Sequence, residues 1–120
     1  MKELQEFTKG YQRELNFHIR DNSYEGCKTS LLTNHMLLTT EVAEITELLR
    51  ELFVTTENKM LEGSSEVEAF QLAKEQITEE LGKEISDCIA YLYKLANFFG
   101  RNMETDFYSK MEEVKRRVNK

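Results

Sequence analysis

Apolar residues recur at three- and four-residue spacing in four stretches of the chain, the repeat of a helix with one buried face. In the first, from Lys2 to about Arg20, Leu4, Phe7, Tyr11, Leu15 and the run from Phe17 to Ile19 predict a helix with an aromatic side. Asp21-Asn22-Ser23, with Gly26 soon after, reads as the connection that follows. Thr29 or Ser30 can then cap a long second helix, whose apolar positions Leu31, Leu32, Met36, Leu38, Val42, Ile45, Leu49, Leu52 and Phe53 carry it to the high fifties. The one clear breaker cluster, Gly63-Ser64-Ser65, comes next. Ser65-Glu66-Val67-Glu68 forms a capping box, which starts a third helix at that point. Val67, Phe70, Ile77, Leu81, Ile85, Cys88, Leu92, Leu95 and Phe99 form the apolar stripe of that helix. Gly82 lies inside it at a cost of about 1 kcal/mol relative to alanine and is also compatible with a close helix approach or a break, while Gly100 stands where a left-handed residue ends a helix. A last helix from about Thr105 to Val118 presents Phe107, Met111, Val114 and Val118. The expected fold is all-α, an antiparallel four-helix bundle-like arrangement with a long central helical hairpin, in a single domain spanning 1–120.

Composition supports that expectation and narrows the function classes. A chain of 120 residues suits one core, and the absence of proline leaves long helices uninterrupted. A net charge of −6 argues against a nucleic-acid or anionic-membrane binder, which needs a basic face. Basic residues gather at the end, in Lys110 and Lys115-Arg116-Arg117, where they read first as a helix terminus complementing its own dipole. With no apolar run of about 18 residues and no signal-peptide pattern, the expectation is a cytoplasmic protein without a membrane partner. Cys27 and Cys88 have no metal-site spacing, and Cys88 reads as a small apolar residue among Ile85, Ile89 and Leu92.

The candidate chemistry lies in two acidic pairs, Glu41 with Glu44 and Glu84 with Asp87, placed symmetrically about residue 64. Residues three apart share a helix face, so a hairpin turning at the breaker brings the four carboxylates together. Taken singly, each pair is an ordinary solvated face. Two features favour a site. Each acid precedes an apolar stripe residue by one position (Val42, Ile45, Ile85, Cys88), which places all four along the edge of the helix interface. The symmetry also sets acid opposite acid, an arrangement that destabilises unless a proton or a cation intervenes. Glu47, Glu51 and Glu80 add to the negative field. Hard divalent cations suit such donors, Mg²⁺ first and Mn²⁺ as the alternative. A di-iron site is disfavoured, because neither His18 nor His35 has a glutamate three residues before it. Lys94 continues the line of Glu84, Asp87 and Tyr91 and reads either as a phosphate contact or as a surface lysine. Phe7, Tyr11 and Phe17 read as core, with stacking on a base as the other use.

Leu38-Thr39-Thr40-Glu41-Val42-Ala43-Glu44-Ile45 and Glu79-Glu80-Leu81-Gly82-Lys83-Glu84-Ile85-Ser86-Asp87-Cys88-Ile89 resemble the E-x-x-E and E-x-x-D half-motifs of the MazG-like nucleoside triphosphate pyrophosphohydrolases, in the all-α NTP pyrophosphatase superfamily. The likeness continues through Leu95 to Gly100, Met103-Glu104, Lys110 and Val114 to Arg117, and covers roughly residues 31 to 118. It implies a MazG-type fold and Mg²⁺-dependent cleavage of a nucleoside triphosphate into monophosphate and pyrophosphate, a housecleaning hydrolase acting as a homodimer or a tetramer. By the resemblance, Glu41, Glu44, Glu84 and Asp87 are the metal ligands, and Lys110 and Arg117 contact phosphate. Glu41 or Glu44 would serve the attacking water, with the choice open. Substrates within the superfamily extend to dUTP or dCTP and to phosphoribosyl-ATP. The competing class is a non-enzymatic helical dimerisation module with solvated acids.

Overall fold

A computed structural model describes residues 2–119. It consists of four α-helices, α1 (Lys2–Glu14), α2 (Tyr24–Leu61), α3 (Glu66–Phe98) and α4 (Met103–Val118), with no strand among the described residues. The all-α class and the order of the four helices are those the periodicity predicts. No helix is long and apolar enough to cross a membrane.

Three boundaries differ from expectation, each for a local reason. Helix α1 ends at Glu14 rather than near Arg20, because Asn16 adopts a left-handed conformation (φ 59°). The Asn16 amide then reaches Arg13 O, and the Phe17 amide reaches Gln12 O at 2.7 Å, which closes the helix with a Schellman turn. Helix α2 starts at Tyr24, capped by Ser23, whose Oγ accepts the Gly26 amide at 3.0 Å; Thr29 and Ser30 lie inside the helix. Helix α4 starts at Met103 rather than Thr105, capped by Asn102, whose side chain accepts the Thr105 amide. At Ser65 the predicted cap forms, its Oγ accepting the Glu68 amide at 3.2 Å. Gly63 (φ 108°) and Gly100 (φ 67°) supply the left-handed residues that end α2 and α3. Gly82 marks neither a close approach nor a break. Helix α3 runs through it unbroken, and nothing lies within 4 Å of where its Cβ would be.

The chain divides into two compact units, one formed by the segment up to His35 with the segment from Ala90 onward, the other by Met36–Ile89. The second is a helical hairpin whose core is Leu52, Ala73 and Ile77, with Leu48 and Leu81 packed against it. Leu52 thus meets Ala73 and Ile77, which lie on either side of its mirror position 76 about residue 64, the register on which the pairing of the acids depends. Ala69 and Ala73 are fully buried, and their small side chains suit close helix contact.

In the first unit, α1 is seated by polar residues. Its buried residues are Gln5, Thr8 and Gln12, whereas Phe7 is 66% and Tyr11 49% exposed, with their rings stacked 5.8 Å apart. The core role expected of Phe7, Tyr11 and Phe17 is therefore incorrect for this chain, and Phe17 too is exposed. The physical reason lies in Gln5. Its Nε2 donates to Arg101 O (2.8 Å) and Asn97 Oδ1 (2.9 Å), and its Oε1 accepts the Met103 amide (2.9 Å). Gln12 Nε2 donates to Ala90 O at 3.0 Å. Backbone groups around the α3–α4 link need partners, and the polar side of α1 provides them.

Candidate functional site

Within the hairpin unit, the chain from Glu41 and Glu44 on α2 to Glu84 and Asp87 on α3 closes on itself. Glu41, Glu84 and Asp87 can each bring a carboxylate oxygen within 4.8 Å of the other two. Glu44 is not one of that group of three, but its carboxyl group is near enough to Glu84 to push the Glu84 pKa up. Glu41 and Glu84 are half-buried, while Asp87 and Glu44 are exposed, so the cluster has a sheltered floor and an open side.

One oxygen of Glu41 and one of Glu84, Oε2 in each case, are out of contact with water and have no donor facing them. Two acceptors are held together here, and the electrostatics respond as expected for like charges in contact. Glu84 is pushed up from 4.5 to about 8, chiefly because its protonated form donates to Glu44 and to Glu41, with burial and the neighbouring charges adding to the shift. The hydrogen bond from Glu84 pulls Glu41 down, but burial and the charges of Glu44 and Asp87 push it up, and the upward push prevails. The buried thiol of Cys88 is also raised, first by burial and then by the charges of Glu41, Asp87 and Glu84.

Hard carboxylate oxygens without donors are what a divalent cation requires, and a bound cation would remove the need for a proton on Glu84. The donor set therefore fits Mg²⁺ or Mn²⁺. Beside the cluster runs an open groove of about 460 Å³, walled by Glu44, Glu47, Glu51, Glu80 and Glu84 with Leu48, Val54 and Arg50. Among the described residues Arg50 is the one cation in this wall. It pairs with Glu47 at 3.6 Å on an exposed face, and the only sequence signal for it is that i, i+3 spacing.

The basic candidates belong to the other unit. Lys110 and Arg117 lie two turns apart on exposed positions of α4, and Lys110 Nζ pairs with Glu113 at 3.2 Å. Lys94, on α3, is half-buried with its Nζ 5.3 Å from the centre of the Tyr91 ring, so the fully solvated reading does not hold for it. Burial pushes the Lys94 ammonium group down from its ordinary value.

In comparisons with known proteins, the chain matches no family model, no curated protein and no solved structure.

Proposed function

We propose that the chain is a Mg²⁺-dependent nucleoside triphosphate pyrophosphohydrolase of the MazG-like type. The observation that carries this reading is the convergence of Glu41, Glu84 and Asp87, with Glu44 on Glu84, around two buried carboxylate oxygens that have no donor. Glu41, Glu44, Glu84 and Asp87 would hold the metal, whose chemistry when bound is to neutralise the triphosphate and acidify a water. Glu41 or Glu44 would orient a water and take its proton as the oxygen bonds to the α-phosphorus. The bond from that phosphorus to the bridging oxygen breaks, and pyrophosphate leaves. By the resemblance, Lys110 and Arg117 would supply cations for the charge on the leaving group. The acidic groove beside the cluster, otherwise hostile to an anion, is consistent with a substrate that arrives with its metal.

The test is direct. Incubation with Mg²⁺ and a panel of dNTPs and NTPs gives monophosphate and pyrophosphate, and Glu84→Gln or Asp87→Asn abolishes turnover while the helical signal and melting are retained. Turnover that survives both substitutions, or none on any nucleotide, overturns the reading.

The assembly part of the proposal is a homodimer or tetramer. What supports it is the amount of apolar surface open in one chain, including Phe7 and Tyr11 on α1 and Leu49 and Phe53 on α2. The same surface favours the second reading, a helical interaction module without catalysis. Millimolar Mg²⁺ separates the two, because a site filled only in the folded state raises the melting temperature by mass action and solvated acids do not.

A further inference from the structure

In the unit formed by the two ends of the chain lies a small pocket of about 30 Å³ whose lining includes Lys9, Arg13, His18, Lys94 and Asn97. Three cations line it and no carboxylate does, in a chain whose net charge is −6. Among the described residues none of the three forms an ion pair, although acids outnumber bases along the chain. Lys9 and Arg13 stand four apart on α1, so they project from one face of that helix towards the same opening. Lys94 comes from α3 and is half-buried.

Two of the lining side chains also hold a buried nitrogen without a partner. The Met103 amide fixes the orientation of Gln5, because it needs an oxygen facing it; Gln5 Nε2 then faces Asn97, which must answer with its Oδ1. Asn97 Nδ2 is consequently a buried donor without an acceptor, and His18 Nδ1 is a second buried nitrogen without a partner. Gln12 anchors α1 at this point through Ala90 O, so the cations are presented by a fixed helix. An ammonium group drawn partly out of water with no counter-charge is unfavourable, and the lowering of the Lys94 pKa reflects that burial.

We infer that this pocket binds one tetrahedral oxyanion of the phosphate type, held by Lys9, Arg13 and Lys94. Three cations with no carboxylate beside them suit an anion of more than one charge, and about 30 Å³ has no room for a sugar or a base, so the rest of any larger ligand stays in solvent. Two sources share this chemistry, a free inorganic anion and the terminal phosphate of an organic phosphate. The inference does not rest on the hydrolase reading, because it needs neither the carboxylate cluster nor a metal.

The experiment is a titration of the full chain, followed by amide chemical shifts, in a chelator-containing buffer so that the acidic cluster plays no part. Inorganic phosphate is added against a chloride control of matched ionic strength, and a nucleoside monophosphate forms a second arm. Saturable shifts clustered at residues 9–19 and 94–98, absent from the chloride control, are expected. Lys94→Gln and Arg13→Gln each weaken binding by about tenfold or more, the effect of losing one charge-assisted contact. Equal affinity in the two arms identifies the free anion as sufficient, and tighter binding of the monophosphate assigns the site to an organic phosphate. Shifts that do not saturate by tens of millimolar phosphate overturn the inference. So does an affinity unchanged in both variants, once their spectra show them folded.

Discussion

If Glu84 keeps a proton only because no cation is present, metal binding must expel that proton, and the quantity can be calculated. With an ionisation at about 8, compared with 4.5 for an isolated glutamate, Glu84 in the metal-free protein is largely protonated at neutral pH. Binding of Mg²⁺ should then release about 0.9 proton at pH 7 and about 0.1 at pH 9, and between these limits the apparent affinity should rise by up to tenfold per pH unit before levelling above pH 8. Glu41 is coupled to Glu84, so the released proton belongs to the pair rather than to one side chain. Cys88 does not contribute, because its thiol is raised above its ordinary value of 9.0 and stays protonated through this range. Calorimetric titration of Mg²⁺ at pH 7 in buffers of different ionisation enthalpy reads the proton number directly. A release below about 0.2 proton, or an affinity independent of pH from 6 to 9, would refute the argument that the carboxylates share a proton in place of a metal. The same shift has a consequence without metal. A carboxyl group raised on folding contributes stability that is complete below 4.5 and is lost as the pH rises through about 8, so the metal-free melting temperature should fall across that window. Adding Mg²⁺ at pH 8 should reverse the fall.

Other outcomes follow from the packing. Ile77→Ala removes a residue only 4% exposed from the core shared with Leu52 and Ala73. It should lower stability by about 2–4 kcal/mol in urea titrations. Gly82→Ala adds a methyl group that meets nothing within 4 Å, in the middle of an unbroken helix. It should raise stability by about 0.5–1 kcal/mol, and a lowered melting temperature would contradict the open environment described. Gln5→Ala strips partners from the Met103 amide, Arg101 O and Asn97 Oδ1 together. It should destabilise by about 2–3 kcal/mol, with faster hydrogen exchange at the Met103 amide as its local signature.

The acidic cluster was legible in the sequence because two strong regularities coincide there. Helical spacing places Glu41 with Glu44 and Glu84 with Asp87 on common faces, and the turn at Gly63 sets the register between them. Leu52 meeting Ala73 and Ile77 shows the same register in the core. The start of α3 was legible for a related reason, since Ser65 is followed at the right distance by Glu68 and few competing caps lie nearby. The start of α2 was not, because Asn22, Ser23, Thr29 and Ser30 are all competent caps and only the folded backbone selects Ser23. The face of α1 was misread for a deeper reason. An apolar stripe predicts burial only where apolar contact is what the neighbouring element needs, and the α3–α4 link instead presents Arg101 O and the Met103 amide. The cationic pocket escaped notice because its members are far apart along the chain, with Lys9 and Arg13 on one helix and Lys94 on another.

The glutamine-mediated attachment of α1 also bears on its thermodynamics. Hydrophobic interfaces carry a heat-capacity signature, since exposing apolar surface to water raises the heat capacity whereas exposing polar surface lowers it. Gln5, Thr8 and Gln12 form the buried side of α1, and its aromatic residues are already hydrated in the single chain. Release of α1 should therefore add almost nothing to the heat capacity of unfolding and depend only weakly on denaturant concentration, unlike opening of the Leu52–Ile77 hairpin. Helix α1 and the hairpin would then respond differently to cooling. The hairpin loses hydrophobic driving force as the temperature falls, while the hydrogen-bonded helix keeps its hold.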